Sequence, residues 1–176
     1  MLLIRLQHLP LDNVKINSPY GNRSITINDR YYWWHNGLDL SAQLNTPIYA
    51  VADGTIKAAR YDNSYGYYIA IDHGKYGTLY AHLSRYIVEE GSNVKSGDII
   101  GYTGSTGDST GPHLHFELRL GSYEKFWERA HCDRSVFMNT SDPMLFITDY
   151  LGKQTELTVE ESINIVQSAA GLEDKR

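Results

Sequence analysis

The sequence has little of what would indicate a disulfide framework, a nucleic-acid-binding surface or a membrane span. Cys132 is the single cysteine among 176 residues, which excludes an intramolecular disulfide. The net charge is −5 and lysines and arginines form no long run, so nucleic-acid binding has little support. No apolar stretch approaches the length of a membrane span. No signal peptide is visible either, because the apolar start is short and interrupted.

Tyrosine and glycine, in contrast, are abundant, with 14 and 15 residues. Both suit a sheet-rich fold with tight turns and an aromatic-lined surface. Short apolar or alternating runs predict strands, and these runs cover residues 47–51, 55–60, 67–72, 78–83, 98–103 and 113–120. Asp53-Gly54 between the first two runs predicts a hairpin. Because the runs are short and closely spaced, the predicted fold class is mainly β with an antiparallel sheet core.

The regions outside these runs divide the chain into three parts. Residues 1–30 are predicted as an irregular N-terminal lead-in with a turn at 18–21, followed by the main domain at 31–150. Residues 151–176 are predicted as a C-terminal helix or linker, because Thr158-Val-Glu-Glu161 forms a capping box before an amphipathic pattern. The long connection 121–142 predicts a functional flap or a short element of its own.

Two histidines in the last predicted strand carry most of the functional information. In 113–118 the apolar residues alternate with His113, His115 and Glu117, so both imidazoles face one side of the strand. Their backbone separation is roughly 6.6 Å. One imidazole can then hold a metal while its neighbour handles a proton.

A third histidine and a carboxylate lie far upstream in His35-Asn-Gly-Leu-Asp39. Four residues of straight strand separate Cα atoms by roughly 13 Å, so a bend at Gly37 is needed to bring His35 and Asp39 to one ion. His82 adds another polar strand position between Ala81 and Leu83, which are predicted to face the core. Two histidines and one carboxylate suit zinc with room for water and favour a hydrolase, although Fe(II) of a non-haem oxygenase has the same ligands.

These segments resemble the LytM/lysostaphin-type zinc endopeptidases of bacterial cell walls. The family pattern is His-x-Gly-x-Asp, then Tyr-x-His-Leu, then a glycine-rich loop leading into His-x-His-Phe. All three are present in that order, at 35–39, 80–83 and 104–116. The resemblance covers roughly residues 17–120, with further matches at 46–56, 71–74 and 97–101, and Asp142-Pro143 matches the closing segment.

The resemblance implies one zinc ion per domain, held by His35, Asp39 and His115, with His113 and His82 as catalytic histidines. It implies a central antiparallel sheet whose loops form a narrow substrate groove. The implied activity is hydrolysis of peptide bonds in peptidoglycan stems or cross-bridges by a metal-activated water. How His113 and His82 divide the proton transfers stays open, as does any hydroxyl contribution from the tyrosines at 31 and 32.

The expected partner is a bacterial peptidoglycan peptide, with no nucleic acid and no membrane span, and with further domains or a phage tail or lysis assembly as options. The expected place of action is the cell wall, extracellular or periplasmic, or a phage particle. A catalytically silent wall-binding or regulatory module of the same fold is the alternative. The bond that is cut cannot be assigned from the sequence.

Overall fold

The structure, a computed structural model, describes residues 4–121 and 139–152. The strands are β1 (Ile16–Ser18), β2 (Gly21–Ile27), β3 (Arg30–His35), β4 (Leu38–Ser41), β5 (Pro47–Tyr49), β6 (Gly54–Asp62), β7 (Gly66–Asp72), β8 (Tyr76–Tyr86), β9 (Asn93–Val94), β10 (Ile99–Thr103), β11 (His113–Leu120) and β12 (Thr140–Ser141). A short helix, α1, spans 144–152. Across the described ranges, no helix has the length and apolar character needed to cross a membrane.

Ten of these strands form one antiparallel sheet, which confirms the mainly β prediction. Its central order is β1-β4-β11-β8-β7-β6-β9, with β10 pairing to β5 and β8, and β12 pairing to β11. Strands β2 and β3 form a separate two-stranded ribbon. Strand β11 thus lies between β4 and β8, so residues from three strands meet along its length.

Strand β11 divides its residues between the two faces of the sheet as the alternation predicts. Leu114, Phe116 and Leu118 are fully buried among apolar side chains. The main core on that face joins central strands to the N-terminal segment, with Leu11, Leu40, Ile48, Ile69, Tyr80 and Ile100 among its members. Apolar packing on one face therefore leaves the other face of β11 available for polar residues.

The hairpin predicted at Asp53-Gly54 is wrong. Strand β5 pairs with β10, and β6 pairs with β7 and β9. Ile48 on β5 is fully buried in the same core cluster as Ile100 on β10. Burial of this pair of strands therefore overrides the local turn signal, because tertiary packing outweighs turn propensity.

The irregular backbone predicted for residues 1–30 is also wrong in part, because β1 and β2 lie there. Strand β1 pairs with β4, and β2 pairs with β3. Strand β2 pairs with β3 alone, and six of its seven positions are exposed or half-buried, so no apolar run marks it in the sequence. The division of the chain at residues 30 and 150 stays a prediction.

The C-terminal prediction falls largely outside the described residues. The prediction of a helix from Thr158 falls on residues outside the described ranges, and so do residues 122–138 of the long connection. The described end of that connection contains β12, which pairs with β11. Helix α1 follows Asp142-Pro143, where the Asp142 carboxylate accepts a hydrogen bond from the Met144 N–H at 2.9 Å. Asp before Pro is a helix-start signal, so the sequence did contain the information for α1.

Gly37 connects β3 to β4, and its role differs from the predicted one. Its φ is not in the left-handed region. Instead, a Cβ at Gly37 would collide with the backbone carbonyl of Phe116 on β11. Glycine is therefore required here because two backbones approach closely, which brings the residues flanking Gly37 against β11.

Gly37→Ala is expected to destabilise the fold by about 1–3 kcal/mol, since the added methyl group must displace backbone rather than a flexible side chain. Chemical denaturation measures the loss. Gly111→Ala is the matched control, because a Cβ there meets nothing within 4 Å. Equal stability of the two variants would contradict the close-approach explanation.

Candidate active site

A cleft of about 380 Å³ opens beside the polar face of β11. Its walls are the β2–β3 ribbon and the loop that precedes β11. All five candidate residues named from the sequence line it, namely His35, Asp39, His82, His113 and His115. Residues that are up to 80 positions apart in sequence therefore share one surface.

Three of the five offer donor atoms to a common point. His35 Nε2 lies 3.1 Å from Asp39 Oδ1 and 3.1 Å from His115 Nδ1, and the latter two atoms are 2.9 Å apart. Strand register explains the last contact, because His115 on β11 is directly opposite Asp39 on β4. All three residues are buried. Within the described part of the chain, this triplet is the group of side chains that could hold a metal ion.

The far side of each metal-facing imidazole is fixed by a hydrogen bond. His35 Nδ1 donates to the carbonyl oxygen of Pro19 at 2.7 Å. His115 Nε2 lies 2.9 Å from the carboxylate of Glu117, which can only accept while it is ionised. When each ring is neutral, its remaining nitrogen therefore directs a lone pair towards the common point. Such outer hydrogen bonds set the tautomer of zinc-binding histidines, and the donor set fits zinc.

His113 and His82 stand next to this triplet without belonging to it. Their ring centroids are 4.8 Å apart, and His113 Nε2 is 3.5 Å from Asp39 Oδ1. His113 Nδ1 donates to the Gly111 carbonyl at 2.7 Å, and His82 Nδ1 donates to the Thr106 carbonyl at 2.8 Å. Each ring therefore keeps an unprotonated Nε2 that can accept a proton.

His82 reaches the cleft through an irregularity in β8. Its φ is 61°, in the left-handed region, and the pairing of β7 with β8 shifts register at this point. The shift corrects the prediction that Ala81 and Leu83 face the same core. Ala81 packs with Tyr65 and Leu79, whereas Leu83 belongs to the main core. Bulges of this kind re-aim a side chain, and they recur beside active sites.

The electrostatics separate the roles of the site residues. Burial opposes ionisation of Asp39, but its contacts with the imidazoles of His113, His115 and His35 outweigh burial and hold the pKa of Asp39 below its ordinary value. Burial, together with the charges of neighbouring His115 and His113, lowers the pKa of His82 to about 3. Burial also lowers the pKa of His35. Near neutral pH the site thus presents an ionised carboxylate beside neutral His82 and His35.

His115 behaves differently because two carboxylates contact it. Burial alone would lower its pKa, but hydrogen bonds to Asp39 and Glu117 outweigh burial and raise it to about 9. The negative charge that raises this pKa also attracts a cation. A metal ion held at Nδ1 would therefore have to displace a proton from His115.

Glu117, the acceptor for His115 Nε2, also forms a fully buried ion pair with Arg119. Glu117 Oε2 accepts from Arg119 at 2.7 Å, and Glu117 Oε1 accepts from the Tyr65 hydroxyl at 2.9 Å. Arg119 also donates to the Tyr65 oxygen at 2.8 Å. The alternation in β11 placed Glu117 on the histidine side, but the sequence alone did not indicate its pairing with Arg119.

Asp108 ties one wall of the cleft to the other. It lies in the glycine-rich loop and accepts hydrogen bonds from Asn28 and Arg30 of the ribbon, each at 3.0 Å, and from the Tyr32 hydroxyl. The Tyr32 hydroxyl therefore serves the wall of the cleft. Tyr31 is 58% exposed and its hydroxyl contacts Ser24. Neither tyrosine hydroxyl is directed at the three donor atoms by these contacts.

Asp108→Ala is expected to destabilise the folded protein by about 1–3 kcal/mol and to loosen the ribbon, since three donors lose their acceptor. Amide hydrogen exchange should accelerate in residues 21–35. The same contacts make this stabilisation depend on pH. Burial opposes ionisation of the Asp108 carboxyl group, but its contacts with Tyr32, Asn28 and Arg30 outweigh burial and hold the pKa of Asp108 below its ordinary value. The stabilisation is therefore complete above the ordinary pKa and is lost as the pH falls below it.

Asp12→Ala is the control for this prediction, because the exposed Asp12 carboxylate accepts one long contact of 3.4 Å from Tyr49. Unchanged exchange in the ribbon of the Asp108→Ala protein would show that the wall is held by other contacts.

The remaining histidines lie away from the donor triplet where the structure describes them. His73 bridges the Asp53 carbonyl and the Thr78 hydroxyl, at 2.8 and 2.9 Å, as a structural residue would. His8 contacts the Leu9 carbonyl and packs its ring on Tyr49. His131 and Cys132 lie outside the described residues.

Comparison with known proteins shows where this arrangement recurs. Residues 34–126 match the sequence model of peptidase family M23. The chain is 45% identical over 114 residues to the DD-carboxypeptidase/endopeptidase Mpg of Neisseria meningitidis, covering 63% of this chain and 26% of Mpg. It is 39% identical over 153 residues to the peptidoglycan DD-endopeptidase ShyA of Vibrio cholerae, covering 86% of this chain and 35% of ShyA. This chain thus corresponds to about a quarter to a third of the length of these curated relatives.

A solved structure gives the same assignment. The catalytic domain of lysostaphin from Staphylococcus simulans superposes with a TM-score of 0.66 at 34% identity, and the match covers 81% of this chain and 99% of that domain. All five candidate site residues fall inside the segment that matches the family. The chain belongs to peptidase family M23, a family of metallopeptidases.

Proposed function

We propose that this protein hydrolyses peptide bonds of bacterial peptidoglycan with one zinc ion held by His35, Asp39 and His115. The observation that carries the proposal is the convergence of three donor atoms within about 3 Å of one another, with both imidazoles oriented from outside by acceptors. The buried negative charge of Asp39, placed against two imidazole nitrogens, favours a cation at the point where the three donors meet.

Zinc at this position supplies a Lewis acid for the scissile carbonyl and lowers the pKa of a bound water towards about 7. His113 and His82 handle the protons. Each has Nδ1 committed to a backbone carbonyl, so each accepts or returns a proton at Nε2. One proton leaves the attacking water and one must reach the leaving amine, and two adjacent imidazoles meet both needs.

The substrate class is inferred from the relatives. Mpg is named a DD-carboxypeptidase/endopeptidase, and ShyA is named a peptidoglycan DD-endopeptidase. We therefore expect cross-linked peptide stems as substrates, reached at the cell wall or in the periplasm. One structural neighbour is the prophage-encoded M23 protein EnpA of Enterococcus faecalis, so action from a phage particle is consistent with the family.

Incubation of zinc-loaded protein with purified muropeptides tests the proposal. Mass spectrometry of products from walls with direct cross-links and from walls with glycine bridges identifies the bond, and the expected result is a new amine end in directly cross-linked dimers. Removal of zinc by a chelator should stop the reaction, and added zinc should restore it. No new amine in any wall type would overturn the proposal, and oxygen-dependent activity with bound iron would replace it with the oxygenase alternative.

A further inference from the structure

Arg23 is a cation on the wall of the cleft that the proposed mechanism does not use. It lies on β2 and lines the same cavity as the donor triplet. Its side chain is 18% exposed, and Nη1 is 3.8 Å from Asp39 Oδ2. The guanidinium therefore faces the reaction centre from the ribbon side.

The guanidinium of Arg23 has unusually few partners for a group so poorly exposed. The distance from Arg23 Nη1 to Asp39 Oδ2 is too long for a hydrogen bond. The guanidinium carbon of Arg23 also lies over the face of the Tyr32 ring, 5.7 Å from the ring centroid. Among the described residues, no acceptor forms a hydrogen bond with the Arg23 side chain, whose one ion pair there is the long contact with Asp39. Arg119, by comparison, donates to both Glu117 and Tyr65. An arginine has five donors in a rigid fork and keeps its charge, so the unfilled donors of Arg23 are available to a ligand.

The surrounding charges limit what that ligand can be. Asp39 directs Oδ1 to the histidines and the proposed metal, and Asp108 is occupied by Asn28, Arg30 and Tyr32. Asp39 Oδ2 forms a long ion pair with Arg23 at 3.8 Å, and neither carboxylate is within hydrogen-bond distance of the Arg23 guanidinium. A carboxylate matches the geometry of the guanidinium fork and can accept two parallel hydrogen bonds from it.

We propose that Arg23 binds a free carboxylate of the substrate peptide, close to the scissile bond. This inference rests on the proposed peptidase function and adds a specificity-determining residue to it. Peptides with an ionised carboxyl group at the matching position are thus preferred over peptides in which that group is amidated. The preference comes from charge-assisted hydrogen bonds made in a poorly solvated cleft.

A double-mutant cycle between enzyme and substrate tests the assignment. The substrates are one cross-linked muropeptide dimer with free carboxyl groups and the same dimer after chemical amidation. The enzymes are wild type, Arg23→Gln, Arg23→Lys and Arg85→Gln. Arg85 lies outside the cleft and packs on Tyr102, so its variant makes the same change of charge away from the site.

Wild type and Arg85→Gln are expected to prefer the free dimer in kcat/KM by about 10- to 100-fold, and Arg23→Gln should lose most of that preference. Arg23→Lys should keep part of it, because the charge remains but the fork is lost. Zinc content and thermal unfolding of the variants should match wild type, which separates recognition from folding.

Four results would overturn the assignment. If wild type and Arg23→Gln prefer the free dimer over the amidated dimer by the same factor, Arg23 does not recognise the carboxylate. If Arg23→Gln loses the same factor of kcat/KM on both dimers, Arg23 serves the reaction centre instead. Loss of zinc from Arg23→Gln shows that it positions Asp39. Cleavage of neither dimer by the wild type overturns the proposed function, and the assignment falls with it.

Discussion

His115→Ala protein is expected to retain no stoichiometric zinc and to show no peptide-bond hydrolysis. His115 Nδ1 lies 2.9 Å from Asp39 and 3.1 Å from His35, so the substitution removes one of three converging donors. Two remaining protein ligands fall below the three that hold a catalytic zinc ion. Loss of zinc and loss of turnover should therefore occur together.

His113→Ala is expected to keep zinc and to lose about 10²- to 10⁴-fold in kcat. The difference between the two histidines follows from what fixes each ring. His113 is held by the carbonyl of Gly111, and its Nε2 reaches Asp39 only at 3.5 Å. Its ring instead faces His82, with 4.8 Å between centroids. The loss should therefore appear in the chemical step rather than in metal retention.

Metal analysis after dialysis, together with single-turnover kinetics, measures both parts of this prediction. His8→Ala is the matched control, because His8 contacts Leu9 and Tyr49 outside the cleft. It should retain both zinc and activity. Equal zinc loss from the His113 and His115 variants would show that four residues share the metal, and the division of roles would then be wrong.

Local sequence patterns predicted where the strands lie better than they predicted which strands pair with each other. Alternation in 113–120 gave both the strand and its two faces, because one face is buried. The Asp53-Gly54 turn failed because a turn signal describes only neighbouring residues, while the burial of Ile48 against the β10 side of the core is a long-range effect. Strand β2 was missed because its alternation is confined to residues 24–27 and most of its positions are exposed or half-buried.

The features of the candidate site also differ in whether local sequence or long-range contacts determine them. Residue types and strand faces identified the histidines and Asp39, since two imidazoles on one side of a strand are visible in the sequence. The positive φ of His82 is a backbone property without a glycine to mark it. Contacts between distant segments, such as Pro19 with His35 or Asp108 with the ribbon, depend on topology and could not be predicted.

Glu117→Gln is expected to weaken zinc binding by about 10- to 100-fold, although Glu117 is not itself a proposed metal ligand. The Glu117 carboxylate accepts the Nε2 proton of His115 at 2.9 Å and so directs the lone pair of Nδ1 into the cleft. An amide in its place is neutral and can present its NH₂ group to the ring instead. The imidazole then loses both basicity and a fixed orientation. Competition with a chromogenic chelator measures the affinity.

The same carboxylate has a second task that must be separated from the first. Glu117 is fully buried with Arg119, so removing its charge leaves an unpaired guanidinium in the interior. Breaking such a pair costs about 3–5 kcal/mol. Glu117→Gln should therefore unfold at markedly lower denaturant than wild type even when both proteins are free of metal.

A double variant distinguishes orientation of His115 from general loss of stability. Glu117→Gln with Arg119→Met removes both charges and should recover much of the unfolding free energy, because apolar packing replaces a buried ion pair at little cost. Zinc affinity should stay low, since His115 still lacks its carboxylate acceptor. Glu90→Gln, at an exposed pair with Arg60, is the control and should change stability by less than about 1 kcal/mol. If zinc affinity recovers together with stability in the double variant, Glu117 supports the fold around His115 and does not orient its ring.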